Sequence, residues 1–311
     1  MEHKPYVVVI GGANMDICGR PDGALVAGDS NLGTVRLSPG GVGRNIAHNL
    51  ALLGVDVRLI TCFGEDAQAD ALVESCTMAG IDIAYSFAVP GGATSTYLYV
   101  TDAQGEMQVA INDMAILDQL TPQRVAERLE AIQGADAVVV DTNIPAETIR
   151  WIAENVKRPL FCDPISTVKA QRVADALGAF YTLKPNRLEA VALSGVAITD
   201  KTSLHVAAEA LLATGLKRTF VSLGPAGVLC ADHDQLVRLP LLPCKVVNTT
   251  GGGDAMMAGL VWAFLQGLDL RESGLAGLAA SAIAVESAKT VSPAMSEKAL
   301  VERMGLTHPN R

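Results

Sequence analysis

Short apolar runs alternate with longer helix-patterned stretches along most of the chain, and this rhythm constrains the fold more than any other feature. The runs are Val7–Ile10, Val57–Thr61, Ala137–Val140, Leu160–Cys162, Tyr181–Leu183 and Thr219–Ser222. Helical patterns lie between most of them: Asn45–Leu53, Ala67–Ala79, Pro122–Ile132, Ala146–Val156 and Leu204–Ala213. A strand that returns through a helix runs parallel to its predecessor, with a right-handed crossover. The runs are apolar at consecutive positions, as strands covered on both faces require. The expected fold is therefore α/β, a Rossmann-type sandwich with a mainly parallel central sheet. Half of the 311 residues are apolar and only 4% aromatic, which suits that packing and one large domain. Ligand sites belong at the carboxyl ends of such strands.

Two segments interrupt the rhythm. Residues 18–38 are rich in Gly, Asp and Ser around a strand-like Thr34–Leu37. Residues 82–111 carry three strand candidates, Ile83–Ala88, Thr94–Thr101 and Met107–Ile111, the last two joined by the turn Asp102–Glu106 as a hairpin. These four strands are expected to form a small β-sheet lid inserted in a single domain spanning 1–311.

The formal charge of −9, with no Lys/Arg cluster, argues against nucleic acid as a partner. An anionic cosubstrate would need backbone amides, a metal or a few placed cations. No apolar run approaches the ~20 residues of a membrane span, and Leu275–Val285 reads as a buried helix. No signal-peptide core precedes Tyr6, and six widely spaced cysteines without a CxxC pair suit small apolar fillers in a reducing compartment. A cytoplasmic location is expected. The five histidines form no zinc pattern.

Two glycine turns open into helices. Asn248-Thr249-Thr250-Gly251-Gly252-Gly253-Asp254 leads into Ala255–Trp262. The unpaired N–H groups and dipole at a helix start make an anion site. Asp254 stands where its carboxylate can meet a hydroxyl about to attack a bound phosphate; it can equally be a helix cap. The turn lacks the Lys-[Ser/Thr] of a Walker loop. Gly40-Gly41-Val42-Gly43-Arg44-Asn45 opens a second helix, either approaching a ligand or packing on the sheet. Upstream, Asn14 and Asp16 alternate on one side of an extended segment, suited to vicinal hydroxyls or to a solvated turn.

Together these segments resemble the PfkB (ribokinase-like) family of carbohydrate kinases over essentially the whole chain. Gly40–Gly54 is similar to the family's N-terminal signature and Asn248–Asp254 with its helix to the C-terminal one. The resemblance implies Asp254 as catalytic base, an anion hole at Gly251, Gly252 and Gly253, and sugar contacts from Asn14, Asp16, Gly41 and Asn45. It implies that Asn186 and Glu189, in the motif Asn186-Arg187-Leu188-Glu189, serve magnesium, water and phosphates, Glu189 holding Mg²⁺ through water. Ser222, Gly224 and Gly227 would line the nucleotide, ATP. Family members often carry Ala where this chain has Gly252. Asn248 stands where many relatives place Asp near a monovalent-cation loop; that loop, with Thr250, would bind K⁺ here through backbone carbonyls if at all. The family often pairs lids, so a homodimer through the lid is expected.

Asp29-Ser30-Asn31, Val109–Met114, Leu183–Ala190 and Asp254–Leu260 most resemble the pseudouridine-phosphorylating branch of that family. The resemblance implies ATP-dependent phosphorylation of the ribose 5′-hydroxyl, with Ser30, Asn31, Asn112 and Asp113 available to a uracil edge or serving as turn residues. Lys169, after Asp163–Ser166, either approaches a phosphate or lies on an exposed helix face. Another sugar or nucleoside kinase, or a non-catalytic nucleoside sensor on the same fold, stays open as an alternative.

Overall fold

The computed structural model describes residues 5–305. All six apolar runs become strands of one eight-stranded sheet. Its spatial order is Leu236–Leu239, Val228–Asp232, Arg218–Ser222, Thr182–Leu183, Leu160–Asp163, Ala137–Asp141, Tyr6–Ile10 and Asp56–Ile60. The last six run parallel. The first two add an antiparallel hairpin at one edge, which the strand–helix rhythm does not announce.

Consecutive apolar residues feed two cores because side chains alternate across a strand. Val7, Val9, Val139 and Phe161 pack against Ile46, Ala258 and Ile283 on one face. Val8, Ile10, Val138 and Val140 pack against Ile149, Leu177 and Leu211 on the other. Burying each such side chain contributes about 1.5–3 kcal/mol, so the sheet is a rigid floor for the loops at its carboxyl edge. Leu270–Val285 is the expected buried helix. The helix expected over Pro122–Ile132 is two pieces, Pro122–Ala126 and Leu129–Gln133. Arg128 breaks it, leaving helical geometry at φ −111 and donating from Nε to Tyr85 O at 2.6 Å.

The lid is a separate four-stranded sheet in the order Gly33–Gly40, Asn14–Pro21, Thr96–Thr101, Met107–Asp113. One expected strand is wrong. Only Phe87–Ala88 of the 83–88 run is a strand, and it pairs with Cys62–Phe63 rather than joining the lid. Ile83 packs on one core while Tyr85 and Phe87 pack on the other, which holds the run against the main body. Asn14–Pro21 takes its place; its glycine, charges and proline hide the alternation that marks a strand. At the lid's base Met15 packs with Phe63, Ala69 and Leu72. Further out the same face carries Leu37, Ile17, Leu98 and Ile111 on one rung, with Leu37 59% and Ile111 62% exposed. A cavity of about 640 Å³ lies under the loop at the lid's tip, lined by Arg20, Val35, Val100 and Val109 among others.

Among the described residues no helix is long and apolar enough to cross a membrane, and all six cysteines are free.

Candidate active site

The first strand ends at Ile10, and the chain turns through Gly11-Gly12 into the lid. Asp141, fully buried at the end of a neighbouring strand, fixes that turn. Its Oδ2 accepts from the N–H of Gly12 at 2.8 Å and of Gly43 at 2.7 Å, and Oδ1 accepts from the N–H of Asn143 at 2.8 Å. One carboxylate thus clamps the Gly11–Asn14 turn to the start of the Val42–Leu52 helix. Burial pushes its pKa up, against the hydrogen bonds. Sequence reasoning missed Asp141; its signal was an acid ending a wholly apolar strand. The clamp needs Gly41, which sits at φ 98 and whose Cβ would lie 2.5 Å from Gly12 O.

Asn14 and Asn45 are brought to one place by that clamp. Asn14 Nδ2 donates to Asp16 Oδ1 at 2.6 Å, and burial raises the pKa of Asp16 against this bond and the Arg44 charge. Asn45 Nδ2 donates to Asp254 Oδ2 at 2.9 Å, while its Oδ1 accepts from Arg44 Nη1 at 3.2 Å. Those two partners set the amide's orientation.

The Gly252–Leu265 helix starts with Gly251 in the left-handed region (φ 85), and no side chain caps it. A Cβ at Gly251 would lie 2.1 Å from Thr290 O, so no other residue fits. The N–H of Gly252 closes a turn onto Thr249 O at 3.3 Å. The N–H groups of Gly253 and Asp254 follow, in the first turn where helix donors lack intrahelical acceptors. An alanine at 252 would meet only Val285 Cγ1 at 3.0 Å and Ser281 Oγ at 3.2 Å, both side-chain atoms. Asp254 is half-buried. Loss of hydration, with the Asp163 charge, pushes its pKa up to about 7, against the Asn45 hydrogen bond and the Lys184 charge. A carboxylate whose pKa lies near 7 can accept a proton, and the free helix-start donors beside it can stabilise the charge of a phosphoryl group.

On the other side of the sheet's carboxyl edge, Asn186 and Glu189 form a capping box for the Arg187–Ser194 helix. Glu189 Oε2 accepts from the Asn186 N–H at 2.8 Å and Oε1 from Asn186 Nδ2 at 2.7 Å. Glu189 is 3% exposed, and burial raises its pKa. No group of three or more metal-ligating side chains occurs among the described residues. These residues form no protein cage for a divalent ion, so an Mg²⁺ bound beside Glu189 would keep water and phosphate oxygens as most of its ligands, as that ion prefers. Ser222 ends its strand and bridges to Asn186, and Gly224–Ala226 turns back through Gly227 at φ 88.

Lys169 is half-buried and donates from Nζ to Asn143 Oδ1 at 2.6 Å, on the loop that follows the Ala137–Asp141 strand. Burial lowers its pKa, against the pull of Asp141. The Asn248 side chain is engaged within its own loop, so a monovalent cation there would rest on backbone carbonyls. Asn248 Oδ1 accepts from the Thr250 N–H at 3.0 Å, which turns its NH₂ toward Ala288 O at 3.4 Å. A donor faces that carbonyl, and the side chain brings no charge.

The four base-contact candidates separate. Asn112 lies on the rung Ser38–Asp16–Tyr97–Asn112, on the face of Asp16. Asp113 belongs to the next rung, with Thr96 and Met15, on the opposite face. Ser30 and Asn31 lie in the exposed loop at the lid's tip, beyond the pair Pro21–Gly33. That pair is roughly 17 Å from Asp16 at about 3.4 Å per residue. Asn31 spends its amide there, on the Val26 N–H at 2.8 Å and Val26 O at 2.9 Å.

A profile of the pfkB family carbohydrate kinases matches residues 4–298. The chain is 40% identical over 298 residues to the pseudouridine kinase of Escherichia coli, covering 95% of each. It is 37% identical to an uncharacterised sugar kinase of the same organism, over 95% of this chain and 82% of that one. The crystal structure of Thermotoga maritima ribokinase superposes with a TM-score of 0.85 at 25% identity, over 97% of this chain and all (100%) of that one.

Proposed function

The chain belongs to the pfkB family of carbohydrate kinases, and from that premise we propose that it transfers the γ-phosphoryl group of ATP to the ribose 5′-hydroxyl of pseudouridine. The observation that carries the reading is the meeting of Asn45 and Asp254 at 2.9 Å, beside an uncapped helix start. The similarity to a pseudouridine kinase over nearly the whole chain supports the acceptor.

In this reading the ribose sits between Asn14, Asp16, Gly41 and Asn45. The 5′-oxygen attacks the γ-phosphorus as its proton passes to Asp254. The bond from phosphorus to the β,γ-bridging oxygen breaks, and ADP leaves with that electron pair. Helix-start amides at Gly253 and Asp254 hold the charge on the transferring group, with the Gly251 turn fixing their direction. ATP lies toward Asn186, Ser222, Gly224 and Gly227, with Lys169 at the same edge. When bound, Mg²⁺ neutralises phosphate charge, and Glu189 with Asn186 would orient its water.

The uracil ring lies against the lid face bearing Asp16, Tyr97 and Asn112, with the tilted Tyr97–Tyr99 pair (5.5 Å between centroids) as its apolar surface. The apolar rung on the opposite lid face supports pairing of two lids in a homodimer, since so much exposed apolar surface usually marks an interface. The fold and charge suit a cytoplasmic enzyme.

The test is a substrate panel with ATP and Mg²⁺: pseudouridine, uridine, guanosine, ribose and fructose. Pseudouridine should give the highest kcat/KM. Faster turnover of ribose or guanosine would replace the acceptor named here.

A further inference from the structure

We propose that Lys184 is a phosphate-contacting residue, its ammonium group meeting the transferring phosphoryl group beside Gly253. This rests on the kinase reading above. Lys184 follows the Thr182–Leu183 strand, and its side chain is 6% exposed. Nζ lies 3.0 Å from Asp163 Oδ2, whose side chain is 5% exposed. A Cβ built on Gly253 would stand 3.3 Å from the same nitrogen. Gly253 itself is exposed in the first turn of its helix. The ammonium therefore lies on the side-chain side of Gly253, at the helix start whose donors would hold the phosphoryl group.

Three features set it apart from a buried counter-ion. An ammonium has three N–H donors, and among the described residues Asp163 is its one close acceptor. Two donors have no protein acceptor among the described residues and are available to ligand oxygens. Asp163 Oδ2 at 3.0 Å holds the group as an ammonium. Finally, Gly253 has no side chain to separate Nζ from the cleft. A compact charge there acts on the γ-phosphate, which ATP has and ADP lacks.

The experiment measures binding of Mg²⁺ complexes of β,γ-imido-ATP and of ADP by calorimetry, in the wild type and two variants. Lys184→Met removes the ammonium. Because it also leaves Asp163 buried without its partner, Asp163→Asn/Lys184→Met is made as well, and melting curves check that both fold. Both variants should lose about tenfold or more in affinity for β,γ-imido-ATP while ADP changes by less than about threefold, since charged phosphate contacts are strong and local. Equal weakening of both nucleotides, or of neither, leaves Lys184 as a counter-ion to Asp163 and overturns the assignment. Failure of the wild type to bind β,γ-imido-ATP would overturn the kinase reading and this assignment with it.

Discussion

Asn45 donates its amide to Asp254 Oδ2 across 209 residues of sequence. The contact joins the two glycine turns and makes the proton affinity of Asp254 depend on a residue in the other half of the chain. Burial and Asp163 raise the Asp254 pKa to about 7, while Asn45 and Lys184 hold it down.

A pH dependence follows with a definite sign. The base works ionised, so kcat/KM for the nucleoside should fall as pH drops through about 7, by tenfold per unit well below it. Asn45→Ala removes a bond that favours the ionised form, so its acidic limb should move to higher pH. A limb that stays in place or moves down would contradict the assigned coupling.

Gly251 and Gly252 should respond differently to alanine. At Gly251 the left-handed backbone and Thr290 O at 2.1 Å leave no room for a methyl group. Gly251→Ala should cost about 1–3 kcal/mol in backbone strain alone and abolish turnover. At Gly252→Ala, Val285 needs only a small shift, and kcat should stay within about fivefold. Melting temperatures and initial rates check both.

Asn248 Nδ2 donates to Ala288 O at 3.4 Å, and its side chain brings no charge to the loop. Turnover in potassium chloride, sodium chloride and tetramethylammonium chloride should agree within about twofold at equal ionic strength, where electrostatic screening is the same in each. Strong activation by potassium would show that the loop rearranges to bind it.

Lid pairing predicts a dimer at micromolar concentration in sedimentation. Ile111→Glu puts a charge on the exposed apolar rung and should give monomers with a melting temperature within a few degrees of wild type, as surface changes do. A wild type that sediments only as monomer refutes the pairing.

The parallel sheet was legible because its strands are buried on both faces, and burial on both faces leaves nothing but apolar residues to read. The lid was half legible: Thr96–Thr101 and Met107–Asp113 carry a strand pattern and a turn. Asn14–Pro21 carries Asp16, Gly19 and Pro21, residue types that strands disfavour, so propensity pointed to a loop. Asp254 and Asn45 stand out in the sequence because glycine turns mark helix starts, and the resemblance to the family is what proposes roles for them and for Asn14. Asp141 and Lys184 do not stand out, because their meaning lies in contacts between strands distant in sequence. Ser30, Asn31, Asn112 and Asp113 read alike as polar turn residues in the sequence, and only strand register distinguishes the lid's tip from its two faces.

The most direct test is a single turnover. Enzyme in excess over γ-labelled ATP is mixed with pseudouridine, and the label is followed in wild type and Asp254→Asn, with nucleoside binding measured separately. The wild type should move the label to the 5′-oxygen, and Asp254→Asn should slow that step by about 10²–10⁴-fold, the usual contribution of a general base, while binding the nucleoside within a few-fold of wild type. Transfer at an undiminished rate in Asp254→Asn, or label found on water or on another hydroxyl in the wild type, would contradict the account.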